Sequence, residues 1–206
     1  MEKSFVALAA MLWFAAAAVA QDLPKFETFV GYTYVRADSA SDVPAFSAHG
    51  GGGQFAYNFS KCLGAVADVG AVHTGDLGGN MIDSTFLNFL FGPRLSMRLA
   101  RIRPYFQLLF GGVYAASSAR ISIPVDPSTT IFPPGSALTA RVGATQTAFA
   151  MTAGGGLDIM INKHVSFRPV GLDYYMTRLQ NLRSADDNNQ NNLRYTTGFN
   201  FTFGAQ

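Results

Sequence analysis

From residue 21 onward the chain alternates apolar with small or polar residues at a period of two, which is the pattern of β-strands. The last segment shows it most clearly. Leu193, Tyr195, Thr197, Phe199, Phe201 and Phe203 share one face, and Arg194, Thr196, Gly198, Asn200 and Thr202 share the other. Segment 84–97 sets Leu87, Phe89, Phe91 and Leu95 against Asn88 and Arg94. Segment 104–114 sets Phe106, Leu108 and Phe110 against Gln107 and Gly111. Segment 148–160 sets Phe149, Met151, Leu157 and Ile159 against Thr152, Gly154, Gly156 and Asp158. Weaker alternation covers 25–36, 52–59, 63–74 and 165–178. The pattern therefore predicts eight strands, each close to the ~9 to 11 residues with which a tilted strand crosses a bilayer.

The connections alternate too. Those at 60–62, 98–103 and 162–164 are short, and those at 37–51, 75–83, 115–147 and 179–192 are long. This rhythm predicts an antiparallel meander with short periplasmic turns and four long outer loops. Pro124, Pro127, Pro133, Pro134 and Gly135 in the third loop, and the run from Asp186 to Asn192 in the fourth, favour irregular hydrated backbone.

A soluble sandwich would alternate as well, so the composition of each face decides between water and lipid. Only 14% of the residues are charged, against ~25% in an average soluble domain. Outside the first 20 residues the lysines are Lys25, Lys61 and Lys163, all at strand starts or short turns. The polar faces hold mainly Gly, Ala, Thr and Asn, with about one charge per strand. This predicts lipid against the aromatic faces and a narrow, filled interior behind the polar ones, with closure satisfying every backbone donor and acceptor. Phe26, Tyr32, Tyr34, Tyr57, Phe59, Tyr105, Tyr114, Tyr174 and Tyr195, near strand ends, are expected to form interfacial girdles.

Lys3 precedes an apolar run from Phe5 to Ala20 that ends in Ala18-Val19-Ala20 before Gln21. The run falls short of a membrane-spanning helix and closes on a small-x-small site, so residues 1–20 read as a cleaved signal peptide and 21–206 as one barrel domain. Gln21 in place of Cys is unlike a lipoprotein site. Cleavage removes Trp13, the one tryptophan. The net charge of +2 and four lysines exclude a basic nucleic-acid-binding surface, and the single Cys62 offers no intramolecular bridge and no metal or redox spacing.

On these features the chain resembles the small eight-stranded outer-membrane barrel family typified by the transmembrane domain of outer membrane protein A. The resemblance spans about Leu23 to Gln206. It rests on the leader, the strand-loop rhythm, the penultimate segment Val165 to Tyr174, and the aromatic-ended last strand Tyr195 to Phe203. It implies insertion by the outer-membrane assembly machinery through that last strand. It also implies a monomer surrounded by outer-membrane lipid and lipopolysaccharide in a Gram-negative-type cell. No peptidoglycan-binding domain follows Phe203, so a cell-wall tether is not implied.

No catalytic, cofactor or metal site is expected. His49-Gly50-Gly51-Gly52 matches an esterase oxyanion-hole tetrapeptide, but no Gly-x-Ser-x-Gly elbow accompanies it; the glycines are expected to let a curved strand begin at the outer rim. Gly154-Gly155-Gly156 lacks the Lys-Ser/Thr of a phosphate loop. His49, His73 and His164 have no zinc-site spacing, and the Asp186–Asn192 run lacks the order of a calcium loop. Parity places Glu27, Asp68, Arg94, Asp158 and Arg194 inward, where they should pair. Arg168 and Asp173 have opposite parity, so both face inward only if a bulge intervenes near Pro169; otherwise Arg168 sits at the periplasmic rim. The expected function is structural or adhesive, exerted through the outer loops on an extracellular ligand. One alternative is a lipid A-modifying enzyme with Ser47, His49 and Asp76 at the outer rim. Another is a small solute channel, disfavoured because side chains fill an eight-stranded interior.

Overall fold

The period-two segments fold into strands that close on themselves. In the computed structural model β1 (Phe26–Ala37), β2 (Phe46–Asn58), β3 (Leu63–Thr74), β4 (Ile82–Ser96), β5 (Ile102–Pro124), β6 (Ala137–Met160), β7 (Val165–Gln180) and β8 (Asp187–Phe203) follow in order. Each pairs antiparallel with its sequence neighbours, and β8 returns to β1, giving a closed up-and-down barrel. The structure describes residues 24–39, 45–75, 82–124, 137–180 and 187–204, with backbone alone at 119–124, 137–141, 179–180 and 187–189.

The register fixes the barrel's shape. Following partners from Thr28 through Phe55, Ala67, Phe91, Phe110, Met151 and Met176 leads to Asn191, whose carbonyl accepts the Asp38 amide. One circuit therefore climbs ten residues along β1, from 28 to 38. With eight strands that shear corresponds to a tilt of about 40°.

The expected faces are found. Leu87, Phe89, Phe91, Leu95 and Met97 project outward, while Asn88 and Arg94 are buried inside. On β8, Leu193, Phe199, Phe201 and Phe203 are outside, and Arg194, Thr196, Asn200 and Thr202 are inside. From Leu87 to Met97 the outward apolar face covers ten residues, about 26 Å after tilt, matching the ~25 Å hydrocarbon band of outer-membrane barrels.

Three expectations need correction. β5 and β6 run far beyond 114 and 148, pairing residue for residue from Ala115↔Gln146 to Pro124↔Ala137, so two-thirds of the expected third loop is a ladder. Its Ala, Ser and Thr residues give little face contrast for periodicity to detect. β8 likewise begins at Asp187, inside the polar run, because Met176 to Gln180 of β7 supplies its partners. The His49–Gly52 run lies within β2, which starts at Phe46. The Pro-rich stretch 125–136, Asp76 and Asp186 lie outside the described residues.

Phe91 is 63% exposed midway along the apolar face of β4. Phe91→Arg is expected to destabilise the barrel by about 2 to 4 kcal/mol, the cost of a cation near the bilayer midplane. Urea unfolding in lipid vesicles measures it, and an unchanged midpoint would invert the assignment of faces.

Candidate functional site

The lumen is built from the inward residues of all eight strands, and its inner half is polar. Arg168, fully buried, donates from Nε to Asp158 Oδ1 at 2.7 Å and from Nη2 to Asp158 Oδ2 at 3.1 Å. Its guanidinium carbon lies 4.1 Å from the ring centre of Phe29 and 4.3 Å from that of Tyr105. The charge is thus paired bidentately at its edge and packed against two aromatic rings.

The position of Arg168 depends on a bulge. Pairing with β8 shifts between Arg168↔Gly198 and Gly171↔Thr196, and pairing with β6 shifts between Leu157↔Val170 and Ile159↔Phe167. The extra residue falls at Pro169-Val170, where Pro169 has no N–H to offer a ladder. Two β8 side chains take up the carbonyls there: Tyr195 Oη donates to the Pro169 carbonyl at 2.7 Å, and Thr197 Oγ1 to the Arg168 carbonyl at 2.9 Å. The bulge reverses parity, so Arg168 and Asp173 are both buried.

Gln54 links the lumen's charges. Its Oε1 accepts from Arg168 Nη1 at 2.9 Å and from Arg94 Nη2, and its Nε2 donates to Asp68 Oδ2 at 2.7 Å. Arg194 bridges two carboxylates, Asp173 Oδ2 at 2.8 Å and Asp68 Oδ1 at 3.0 Å. Towards the periplasmic end, Glu27 accepts from Arg98 at 3.0 Å and from Asn58 at 2.9 Å. Glycines make room for the cluster: a Cβ on Gly156 or Gly171 would meet the Tyr105 hydroxyl at 2.7 or 2.9 Å.

All five inward charges expected from parity are buried here. Tyr105 departs from the expected girdle and points inward, which its shared parity with Gln107 could have indicated. Phe29 and Gln54 were not singled out by sequence, although Phe29 shares parity with Glu27. Above the polar cluster the lumen holds Val35, Val72, Val113, Tyr175 and the stacked pair Phe46–Phe86, ring centres 5.7 Å apart, beside Thr177, Gln190 and Asn192. The cavity left among them is about 20 Å³, room for about one water.

At the outer rim Ser47 and His49 share the outward face of β2, but different partners hold them. Ser47 Oγ bonds Tyr34 Oη and Arg36 Nη1, each at 3.0 Å, whereas His49 Nδ1 bonds Tyr32 Oη. The structure does not join the two into a nucleophile–base pair. His164 lies in the β6–β7 turn, and no cluster of three His, Cys, Asp or Glu suited to a metal occurs among the described residues.

Residues 5–206 match the family described as outer membrane protein beta-barrel domain. The chain belongs to that family. At the level of sequence no curated protein matches it. Among solved structures, this outer-membrane barrel is similar to Neisserial surface protein A (TM-score 0.61, 12% identity), covering 87% of this chain and 97% of that one. It is also similar to Ail, the attachment invasion locus protein of Yersinia pestis (0.54, 13%; 87% and 100%), and to the outer membrane protein OprG of Pseudomonas aeruginosa (0.54, 15%; 90% and 99%). At these identities the likeness concerns the fold.

Replacing Arg168 by Met strands the buried Asp158 and is expected to cost about 3 to 5 kcal/mol, whereas Arg168→Met with Asp158→Leu should recover much of that loss. Urea unfolding of the wild type, Arg168→Met, Asp158→Leu and the double variant tests it. A double-variant loss equal to the sum of the two single-variant losses would mean that the pair does not interact.

Proposed function

We propose that this outer-membrane barrel is a surface-contact protein that holds a protruding hairpin outside the cell and catalyses no reaction. One observation carries the reading. The β5–β6 ladder continues from Tyr114, at the top of the apolar belt, to Pro124, ten residues and about 26 Å further out. A channel has no need of such an extension. The charge network and the apolar residues above it also argue against conduction, since they fill the lumen. The long strands end at Pro124 and Ala137 well clear of the lipid headgroups, where a partner on another surface can reach them.

In this reading residues 1–20 are a leader cleaved after Ala20. The mature chain, without tryptophan, enters the membrane through its aromatic-ended last strand and stands as a monomer among lipopolysaccharide. The different partners that hold Ser47 and His49 support the absence of catalysis.

The test replaces residues 119–142 with a two-residue turn. The remaining ladder keeps its hydrogen bonds and a shorter connection closes at little cost, so heat-modifiable mobility should persist. Adhesion of intact bacteria to host cells or to one another should fall to the level of a deletion strain. Full adhesion by the shortened barrel, or steady single-channel conductance of the wild type in planar bilayers, would overturn the proposal.

A further inference from the structure

The outer rim holds two histidines whose arrangement goes beyond surface contact. His49 of β2 and His73 of β3 are direct cross-strand partners. Both are exposed on the outward face, so their Cβ atoms stand about 4.5 to 5.5 Å apart. Each ring is held from its far side. His49 Nδ1 bonds Tyr32 Oη on the β1 side, with the Tyr34 ring centre 5.1 Å from the imidazole, and His73 Nδ1 bonds Thr85 Oγ1 on the β4 side at 3.1 Å. Fixing Nδ1 away from the seam turns the Cδ2–Nε2 edge of each ring towards it. Each hydroxyl oxygen can accept from Nδ1–H, the tautomer that leaves an unshared pair on Nε2. An outer partner on Nδ1 that fixes ring and tautomer is the usual arrangement of metal-binding histidine.

We propose that His49 and His73 form a two-histidine site for a divalent transition-metal ion on the outer face of the barrel. The ligands are the two Nε2 atoms, and water fills the remaining positions. Imidazole nitrogens select copper, nickel and zinc over calcium and magnesium, with Cu(II) held most tightly. The place suits a hydrated ion. Thr85, opposite His73, is the first polar outward residue above Leu87 on β4, which puts the pair at the upper edge of the apolar belt and in reach of water. His73 also lines an open groove with Asp83, Thr85, Ser118 and Thr145. Tyr32 and Thr85 are positioning residues in this site and do not touch the ion.

The chain has only three histidines, so the site can be tested without background from a tag. Untagged barrel purified from outer membranes in detergent micelles is titrated with Cu(II), read by calorimetry and by electron paramagnetic resonance. The expected result is one copper per barrel with a two-nitrogen signature, lost in His49→Ala and in His73→Ala and kept in His164→Ala. Tyr32→Phe retains both imidazoles and should weaken binding about tenfold through loss of the orienting bond. Heat-modifiable mobility confirms that each variant is folded, as expected for exposed side chains. No copper bound by the wild type, binding retained when either rim histidine is removed, or binding lost with His164 would overturn the proposal.

Discussion

The guanidinium of Arg168, held by Asp158 and covered by Phe29 and Tyr105, is the contact on which the lumen depends. A full charge in the centre of a barrel surrounded by lipid is tolerable only when every donor is engaged and its faces are covered. Those conditions draw in residues from several strands: Asp158 from β6, Gln54 from β2, Phe29 from β1 and Tyr105 from β5. The one-residue bulge at Pro169-Val170 makes it possible by turning Arg168 inward without displacing Asp173. The same bulge would leave carbonyls unpaired, and Tyr195 and Thr197 of the last strand close them. Backbone irregularity and side-chain charge thus stabilise each other across the β7–β8 seam.

A filled lumen leaves the outside of the barrel as the surface on which the proposed contact function rests. The strands that make the core also extend past the membrane as the β5–β6 ladder, so the projecting part is continuous with the rigid part and does not hang from it as a loop. The outer rim adds polar chemistry of its own. Tyr32 bonds His49, Tyr34 and Arg36 bond Ser47, and Thr85 bonds His73 at the level where lipid gives way to water. Among the described residues the periplasmic end has short turns, at 59–62, 97–101 and 161–164.

The membrane-embedded part of the fold was legible because lipid imposes a strong contrast between faces. Phe89 and Asn88, or Phe201 and Asn200, differ enough to report orientation residue by residue. That contrast disappears above the membrane, where Ala115 to Ser118 and Gly143 to Thr147 meet water on the outside, so periodicity does not reveal the ladder there. The need for a bulge could be seen in the conflicting parity of Arg168 and Asp173, but only pairing with β6 and β8 settles its position. Residue type does not place Tyr105, because an aromatic near a strand end suits a girdle as well as a cation's face. The cross-strand meeting of His49 and His73 depends on the β2–β3 register, which spacing along the chain does not specify.

The inward, stacked position of Arg168 is the claim on which this account rests, and the guanidinium resonance reports it directly. In ¹⁵N-labelled barrel in micelles, the Arg168 Nε–H signal, assigned by its absence from Arg168→Lys, should be displaced by the ring currents of Phe29 and Tyr105. It should also exchange slowly with water, because it is buried and bonded to Asp158. A signal at the shift of free arginine, exchanging as fast as those of exposed guanidinium groups, would place Arg168 at the periplasmic rim and contradict both the bulge and the closed lumen.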